Sequence, residues 1–482
     1  MFRKLIQKYN QIPAPAKASL WFLICGFLQK GISMLTTPVF TRVMTELEYG
    51  RFTVYNSWLG IIQIIVSLNL AAGVYTRGLV KFEEDQDRFS SSMLGLSTTC
   101  VLVFGVLYAI FSQVINDWLD LSTVLAVAML VEIWAHAAYQ FWSNRERVHY
   151  RYKRLVILTL AYVILRPLLG VIFVLQADAT AQVEARVLTT TLVNLGLFTG
   201  LYIAITKKGK QFFSKKYWSY ALKFNLPLVP HYLSQIVLNQ SDRLMINSLC
   251  GTAETAYYSV AYTIAMVLQI LNTSISSTMN PWIYKSIKNG QVHKIGKVSY
   301  CVLGLIAVLN LVVILFAPEL LAVLAPDSYR AALWVIPPVT VSVYFMFLYN
   351  LFATFEYYYE KTHYVTIATV IGAALNVALN ALFIPKFGFV AAGYTTLACY
   401  ILYAFAHYYY MRKVCKAFMG GTKVYNVKII LALGLGLLLC AFAIMLLYET
   451  TWIRYGLVAV IGLGLCWKRK TLLSMLGTLK SK

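Results

Sequence analysis

The sequence predicts an all-α polytopic membrane protein with about fourteen transmembrane helices, arranged as two six-helix lobes in parallel repeat plus two C-terminal helices. Three observations predict it: the composition, the number of long apolar runs and an internal repeat. Hydrophobic residues make up 59% of the 482 residues, charged residues make up 13%, and the mean hydropathy is +0.66. Because a soluble domain carries about 25% charged residues, the composition excludes an ordinary soluble enzyme, a disordered chain and a fibrous repeat.

Fourteen apolar runs each approach the roughly 20 residues that a helix needs to cross a bilayer. The first seven are Ser19–Phe40, Phe52–Val74, Met93–Ile115, Leu119–Phe141, Leu155–Leu175, Val187–Ile205 and Leu226–Leu249. The second seven are Tyr257–Met279, Val298–Phe316, Ala331–Phe355, Val365–Ile384, Phe389–Met411, Ile429–Leu447 and Ile453–Trp467. No segment between these spans is long enough to form an extramembrane domain.

The distribution of Lys and Arg predicts that both termini are cytoplasmic. With the N-terminus inside, the cytoplasmic tails and loops hold 33 of the 42 Lys and Arg residues, and the seven outer loops hold 7. Short cytoplasmic loops of membrane proteins are enriched in these residues. The same rule accounts for the net charge of +23, which in a soluble protein would indicate nucleic acid, so we expect no nucleic-acid partner.

Two short matches indicate an internal repeat. Phe52–Val54 followed by Gln63 matches Tyr258–Val260 followed by Gln269 at an offset of 206, and Glu146–Tyr150 matches Glu360–Tyr364 at an offset of 214. Both offsets move a segment by six spans, and because six is even the two copies keep the same orientation in the membrane. The predicted domains are a six-helix lobe over residues 1–206, a second over 207–416, and two further helices with a basic tail over 417–482.

Ionisable residues within predicted spans are costly, at about 2.5–3.5 kcal/mol for a charge, and six of them are taken as functional candidates. They are Lys30 in span one, Glu132 and His136 in span four, Arg166 in span five, and Asp242 and Arg243 near the outer end of span seven. Glu132 and His136 are four residues apart and share a helical face. The alternative is structural: Lys30 and Arg166 pair with Glu132 or extend to the membrane surface.

Polar side chains recur at helical spacing in four spans and predict a water-filled cavity, because lipid-facing stripes would be penalised. The stripes are Lys30, Ser33 and Thr37; Asn56 and Gln63; His231, Gln235, Asn239 and Asp242; and Gln269, Asn272, Ser276 and Asn280. The alternative is hydrogen bonding between helices. Four amides are candidate contacts for a polar substrate: Gln63, Gln235, Asn239 and Gln269.

No cofactor or metal site is expected. The eight Cys and six His show no ligand spacing, and most Cys lie within apolar runs. Near the C-terminus, Lys468, Arg469 and Lys470 precede a short apolar tail. This basic cluster predicts contact with anionic membrane lipids.

Three strings at the start of the second lobe carry a family resemblance: Asn225–Pro230, Asp242–Ile246 and Tyr257–Tyr262. Together with the helix count, the repeat and the basic loops, they resemble bacterial polysaccharide flippases. These are the O-antigen and capsule repeat-unit translocases of the multidrug/oligosaccharidyl-lipid/polysaccharide exporter superfamily. The resemblance implies a transporter of the bacterial cytoplasmic (inner) membrane that is not an enzyme.

The resemblance also implies a substrate and a site. Such flippases carry an undecaprenyl-diphosphate-linked oligosaccharide from the inner to the outer leaflet through a cleft with a cationic lining, for which Lys30, Arg166 and Arg243 are the candidates. Glu132, His136 and Asp242 are the candidates for a coupling ion. A polysaccharide polymerase and chain-length machinery are the implied protein partners.

Two other functions stay open. A multidrug exporter of the same superfamily would place acidic groups in its cleft to bind cationic drugs. An integral-membrane glycosyltransferase, polymerase or ligase usually needs a large outer loop with catalytic groups, and Glu46 with Glu48 is the one acidic pair of that kind in the first outer loop. The sequence has no Walker motif, which argues against ATP-driven transport by this chain alone.

Overall fold

The computed structural model describes residues 14–467, without the side chains of residues 14–16, 19, 30, 33, 461 and 464–467. In this range the chain forms seventeen α-helices, three short 3-10 segments and no strand. The helices up to the middle of the chain are α1 (Ala14–Val43), α2 (Glu46–Ser67), α3 (Val74–Lys81), α4 (Gln86–Leu119), α5 (Thr123–Val148), α6 (Tyr152–Gln176), α7 (Gln182–Gly209), α8 (Lys215–Asn225) and α9 (Val229–Leu249). Those that follow are α10 (Thr252–Lys288), α11 (Val292–Leu315), α12 (Ala317–Leu324), α13 (Ile336–Tyr358), α14 (Thr362–Phe387), α15 (Val390–Phe418), α16 (Val427–Met445) and α17 (Thr451–Trp467). The basic cluster at Lys468–Lys470 lies outside the described residues.

The predicted fold class is confirmed. Fourteen of the described helices are long, and they coincide in order with the fourteen predicted spans. Eleven of them are long and apolar enough to cross a membrane. The other three are α2 and α9, which carry charged and amide side chains, and α17, which has 17 residues.

The second predicted span ends earlier than its apolar run. Thr45 begins α2, because its side chain accepts a hydrogen bond from the N–H of Glu48 and so satisfies a free donor at the helix start. The helix ends at Ser67, where Leu68 and Asn69 adopt left-handed conformations with φ of 48° and 49°. The predicted end at Val74 is therefore wrong, since hydrophobicity continues through a turn that breaks the helix.

Backbone contacts divide the chain into two compact units, Met1–Gln240 and Ser241–Lys482. In the first unit α5 and α6 both pack on α7. In the second unit α13 is almost wholly buried and packs on α10, α11 and α15. The lobe boundaries predicted after residues 206 and 416 remain predictions.

The two copies of the repeat end their fourth helix in the same way. Beyond α5 and α13 one residue adopts a left-handed conformation, Tyr150 in the first copy and Glu360 in the second, each with φ of 56°. In each copy the next N–H donates to a carbonyl five residues earlier. These bonds run from Arg151 to Glu146 and from Lys361 to Glu356, both at 2.8 Å.

This geometry corrects the repeat alignment. Tyr150 and Glu360 are equivalent, so the offset here is 210, and the predicted offset of 214 is wrong by about one helical turn. The two sequence segments could be aligned at the offset of 214 because each contains a glutamate followed by a His-Tyr pair. At the starts of α2 and α10 the offset of 206 holds, since Thr45 and Gly251 are the capping residues.

Helix ends predicted on the same side of the membrane come together in the first unit. At the predicted outer side, a carboxylate oxygen of Glu48 accepts the N–H of Val183 at 2.9 Å. At the predicted cytoplasmic side, Asp87 pairs with Arg145 at 2.5 Å and with Lys208 at 3.2 Å. This alternation is the one that the predicted topology requires.

One member of the acidic pair of the first outer loop, Glu48, has a structural role. Glu48 is 2% exposed and pairs with Arg51 at 2.9 Å, in addition to its bond from the start of α7. A carboxylate enclosed in this way joins helix ends and offers no surface to a substrate.

Candidate functional site

The charged centre of the first unit forms around Arg166, midway along α6. Its guanidinium donates to the hydroxyl of Tyr162 at 2.8 Å and to Oγ1 of Thr190 at 3.2 Å. Oε1 of Glu132 lies 3.5 Å from Nη2 of Arg166, so the pairing that the sequence offered as an alternative is present. The two side chains differ in accessibility, because 30% of the Arg166 side chain is exposed against 5% of Glu132.

Glu132 is held by two helices. The hydroxyl of Tyr55, on α2, donates to Oε2 of Glu132 at 3.1 Å, while Oε1 faces Arg166. One turn further along α5, His136 packs against the rings of Tyr139 and Tyr162 with centroids 5.6 and 6.3 Å away. Since Tyr162 also binds Arg166, the predicted common face of Glu132 and His136 is confirmed.

A second guanidinium lies one turn from Thr190 on α7. The Cζ atom of Arg186 is 3.4 Å from the ring centroid of Phe40 and 3.5 Å from that of Phe52. Both flat faces of the group are therefore stacked, and its N–H donors lie in the plane between the rings. The hydroxyl of Thr190 accepts from Arg166 and donates to the backbone carbonyl of Arg186, so the two arginines belong to one region of the first unit.

The sequence analysis missed Arg186 by one residue. The predicted span began at Val187, which counted Arg186 among the outer-loop residues, whereas α7 begins at Gln182. The hydrophobic run marked the apolar part of the helix and left out its polar first turn. Lys30 lies in α1, and its side chain is outside the described part of the structure.

The charged centre of the second unit is Asp242, on α9, with 2% of its surface exposed. Its Oδ2 accepts from the hydroxyls of Tyr258 at 2.5 Å and Thr396 at 2.7 Å. Its Oδ1 accepts from the amide of Asn380 at 2.7 Å. A buried carboxylate surrounded by neutral hydroxyl and amide groups has the chemistry to take up a small cation or a proton.

Asn380 and its neighbour Asn376 were not singled out from the sequence. Oδ1 of Asn376 accepts from the hydroxyl of Ser241 at 2.8 Å, and both asparagines are fully buried. Their spacing of four residues places them on one face of α14. That polar pair in an otherwise apolar span was the available signal.

Arg243 contacts the same helix as Asp242 does. Its Cζ atom is 4.5 Å from the ring centroid of Tyr262 and 5.8 Å from that of Tyr258. Tyr258 therefore contacts both residues: its hydroxyl donates to Asp242, and its ring lies near Arg243.

The polar stripe of predicted span eight ties α10 to α13. The amide of Asn272 donates to the carbonyl of Val343 at 2.8 Å, and Oδ1 of Asn280 accepts from a threonine hydroxyl of α13 at 3.1 Å. The amide of Gln269 lies 3.5 Å from the sulfur of Met346. For Asn272 and Asn280 the interhelical alternative is therefore present, while the substrate contact of Gln269 stays a prediction.

The remaining predicted substrate contacts lie on α2 and α9. The side-chain amide of Asn239 donates to the carbonyl of Gln235 in its own helix at 2.7 Å. Gln235 is exposed and Gln63 is half-buried. Among the described side chains, no group of three or more His, Cys, Asp or Glu is placed to hold a metal ion.

Comparison with known proteins gives consistent matches. Residues 16–287 match the family described as polysaccharide biosynthesis protein, and residues 227–382 match the MatE family. The chain is 22% identical over 395 residues to Lsg locus putative protein 1 of Haemophilus influenzae, with 75% of this chain and 89% of that protein aligned. It is 20% identical over 404 residues to the probable low-salt glycan biosynthesis flippase Agl15 of Haloferax volcanii, with 82% and 83% aligned.

A solved structure shares the fold. The lipid II flippase MurJ in its inward closed conformation aligns with a TM-score of 0.71 at 14% identity, over 94% of this chain and 99% of that one. The fourteen long helices and the sequence match over more than half of the length lead to one assignment. This chain belongs to the polysaccharide biosynthesis protein family.

Proposed function

We propose that the protein moves an undecaprenyl-diphosphate-linked oligosaccharide from the inner to the outer leaflet of the cytoplasmic membrane by alternating access. The observation that carries this proposal is the placement of two guanidinium groups, Arg166 and Arg186, within long apolar helices, where Glu132 contacts Arg166 and Arg186 lies between two aromatic rings. A guanidinium at this depth is costly, and an anion bound beside it offsets that cost. A lipid-linked diphosphate is such an anion.

The energies favour an anionic substrate. A phosphate charge 4 Å from one guanidinium gains about 4 kcal/mol at an effective dielectric constant near 20. Because desolvation of the phosphate offsets part of this gain, two or three cations are needed, and Lys30 and Arg243 are the further candidates. The same charges repel a cationic drug, which argues against the multidrug alternative.

In this proposal both termini lie in the cytoplasm, as the Lys and Arg distribution predicts. An electrical potential that is negative inside then favours outward movement of the anion, by about 2.3 kcal/mol per charge for each 100 mV. The cargo that the family resemblance implies is an O-antigen or capsule repeat unit. A polymerase and chain-length machinery would consume it at the outer leaflet.

Asp242 is the leading candidate for ion coupling. Its carboxylate is enclosed by Tyr258, Asn380 and Thr396 and has no Lys, Arg or His in a salt bridge among the described residues. Glu132 is already compensated by Arg166. Entry of a proton or a sodium ion at Asp242 would neutralise a buried charge and favour a different packing of α9, α10, α14 and α15.

The experiment is deletion of the gene in its source cell, followed by analysis of lipid-linked oligosaccharide. Deletion is expected to stop polysaccharide export and to trap the lipid-linked repeat unit at the inner leaflet. The wild-type gene restores export, Arg166→Ala does not, and Lys207→Ala at the exposed end of α7 does. Normal export in the deletion strain, with no trapped intermediate, would refute the proposal.

A further inference from the structure

A buried acid–base pair lies at the end of α13, away from Asp242. Nδ1 of His407 is 2.8 Å from Oε1 of Glu356, and both side chains are 0% exposed. The second polar atom of each group, Nε2 of His407 and Oε2 of Glu356, has no hydrogen-bond partner among the described residues. Buried polar atoms left unpaired are rare, and each one calls for a functional explanation.

Charge neutrality favours one shared proton on the sealed pair. With one proton shared, the pair is neutral, either as a carboxylic acid with imidazole or as a carboxylate with imidazolium. Adding or removing a proton leaves a net charge in a site of low dielectric, which is strongly unfavourable. Exchange therefore requires an opening that admits water.

The surroundings of the pair are aromatic and uncharged at neutral pH, apart from one histidine. The titratable groups that face Glu356, His407 or their neighbours are Tyr349 and Tyr357 of α13, His363 of α14, Tyr403 of α15 and Tyr284 of α10. The ring of Tyr349 stacks on His407 at 5.3 Å, and that of Tyr403 meets it edge-on at 4.6 Å. None of these groups supplies a permanent counter-charge, so Glu356 and His407 balance each other.

The internal repeat provides a comparison. Glu146 is the equivalent of Glu356, since both glutamates accept the same backbone bond at the end of the fourth helix of their copy. Glu146 is also buried, at 6% exposure, and its Oε2 has no partner in the described part of the chain. No Lys, Arg or His side chain forms a salt bridge with it among the described residues. The helix end therefore does not require a histidine, and His407 is an addition specific to the second unit.

We propose that Glu356 and His407 form a proton-binding site, separate from Asp242, that exchanges one proton with cytoplasmic water in each transport cycle. On opening, the pair releases its proton to water and becomes a carboxylate beside a neutral imidazole; on closing, it has taken one proton back. This inference rests on the proposed transport function and on the predicted orientation, which puts the end of α13 at the cytoplasmic side.

The first test needs no substrate. The full chain with 15N-labelled histidine is placed in lipid nanodiscs, and the His407 signals are assigned as those lost in His407→Gln. Glu356→Gln is expected to shift the His407 signals, and the matched variant Glu146→Gln is expected to leave them unchanged. An unchanged His407 spectrum in Glu356→Gln would overturn the proposal.

The second test measures lipid crossing in proteoliposomes that contain undecaprenyl diphosphate, with equal pH on both sides of the membrane at each value of a pH series. Because opening releases a proton to water, acid is expected to slow lipid crossing by the wild type at least tenfold. Crossing by Glu356→Gln and His407→Gln is expected to change less than twofold over the same series, while Glu146→Gln follows the wild type.

The outcomes separate the two claims. If lipid crosses in the wild type at a rate that does not depend on pH, or if both variants keep the pH dependence of the wild type, the proton site is refuted and the transport function stands. If no lipid crosses in the wild type, the proposed function fails for this substrate. The claim of proton exchange during transport then fails as well, even if the first test confirms that Glu356 and His407 are paired.

Discussion

Arg166 lies 3.5 Å from Glu132, yet the two side chains differ in exposure, with 30% of Arg166 and 5% of Glu132 accessible. Tyr55 and Arg166 enclose the carboxylate of Glu132, and the carboxylate in turn fixes the position of the guanidinium. Each guanidinium nitrogen has a protein partner, and part of the Arg166 side chain remains accessible. We expect this asymmetry to let one pair stabilise the fold and bind an anion.

Replacing Arg166 by Ala is expected to lower polysaccharide export at least tenfold, because the Coulomb attraction for the diphosphate is lost. Arg166→Lys keeps the charge and is expected to retain part of the export. Export is measured at matched protein level in membranes. Lys30→Ala is likewise expected to lower export, and Lys30→Arg, which keeps the charge, is expected to retain part of it.

The structural role of the Arg166–Glu132 pair is tested separately. Arg166→Ala leaves Glu132 buried without its partner, which is destabilising, so the double variant Glu132→Gln with Arg166→Ala should restore protein level without restoring export. Full export by the double variant would show that the anion is bound elsewhere, with Arg243 as the next candidate.

Arg186→Lys is expected to reduce export although the charge is kept. An ammonium group cannot stack on Phe40 and Phe52 at once, and loss of about 1–2 kcal/mol of cation–π attraction corresponds to a roughly 5- to 30-fold effect. Arg42→Lys, at the exposed end of α1, is the matched control and should export normally. Equal export by the two variants would remove Arg186 from the site.

Asp242→Asn is expected to uncouple transport. The amide keeps the shape of the carboxylate but loses the charge that a proton or sodium ion would neutralise. Lipid crossing in proteoliposomes should fall at least tenfold and should no longer respond to removal of sodium or to collapse of the proton gradient. Asp117→Asn, on an exposed site of α4, serves as control, and an unaltered ion response in Asp242→Asn would contradict the assignment.

The pair of Glu319 and Arg454 predicts a loss of stability in acid. Burial alone raises the pKa of Glu319, but the hydrogen bond at 2.8 Å and the charge of Arg454 outweigh it and hold that pKa below its ordinary value. A lowered folded-state pKa stabilises the protein above the unfolded-state pKa of about 4.3, and this contribution is lost as the pH falls through the folded-state value.

Thermal unfolding of the purified protein between about pH 6 and pH 3 measures this effect. The melting temperature of the wild type should fall more steeply with acid than that of Glu319→Gln. Glu449→Gln, in the nearby loop before α17 and exposed, should follow the wild type. Parallel curves for wild type and Glu319→Gln would show that the pair contributes no pH-dependent stability.

Cysteine labelling tests the predicted topology. In a variant without native cysteines, Thr180→Cys is expected to react with an impermeant reagent in intact cells. Lys215→Cys, at the start of α8, is expected to react only after permeabilisation. The reverse pattern would overturn the orientation with cytoplasmic termini.

The helices could be predicted because crossing a bilayer requires an apolar run of about 20 residues. Such a run consists of consecutive residues and can be read without knowing the fold. Helix ends were harder to predict, since a capping residue such as Thr45 or a left-handed residue such as Leu68 ends a helix within hydrophobic sequence. For the same reason the apolar run did not place Arg186 within a membrane helix.

The polar contacts depend on residues far apart in the chain. Glu132 and Arg166 were predicted as a possible pair because both stand out in apolar spans. Glu356 was assigned to a cytoplasmic loop, and its partner His407 is 51 residues away, so only the packing of α13 on α15 brings the two together.

The most direct measurement of the central claim uses purified protein in proteoliposomes with a fluorescent undecaprenyl-diphosphate-linked oligosaccharide in one leaflet. Wild-type protein is expected to move the lipid to the other leaflet, while the variant carrying both Arg166→Ala and Arg186→Ala is expected to leave it where it started, at equal protein content. Movement at the wild-type rate by the double variant would contradict the account of an arginine-lined anion site, and no movement by wild type would contradict the proposed flippase activity for this substrate.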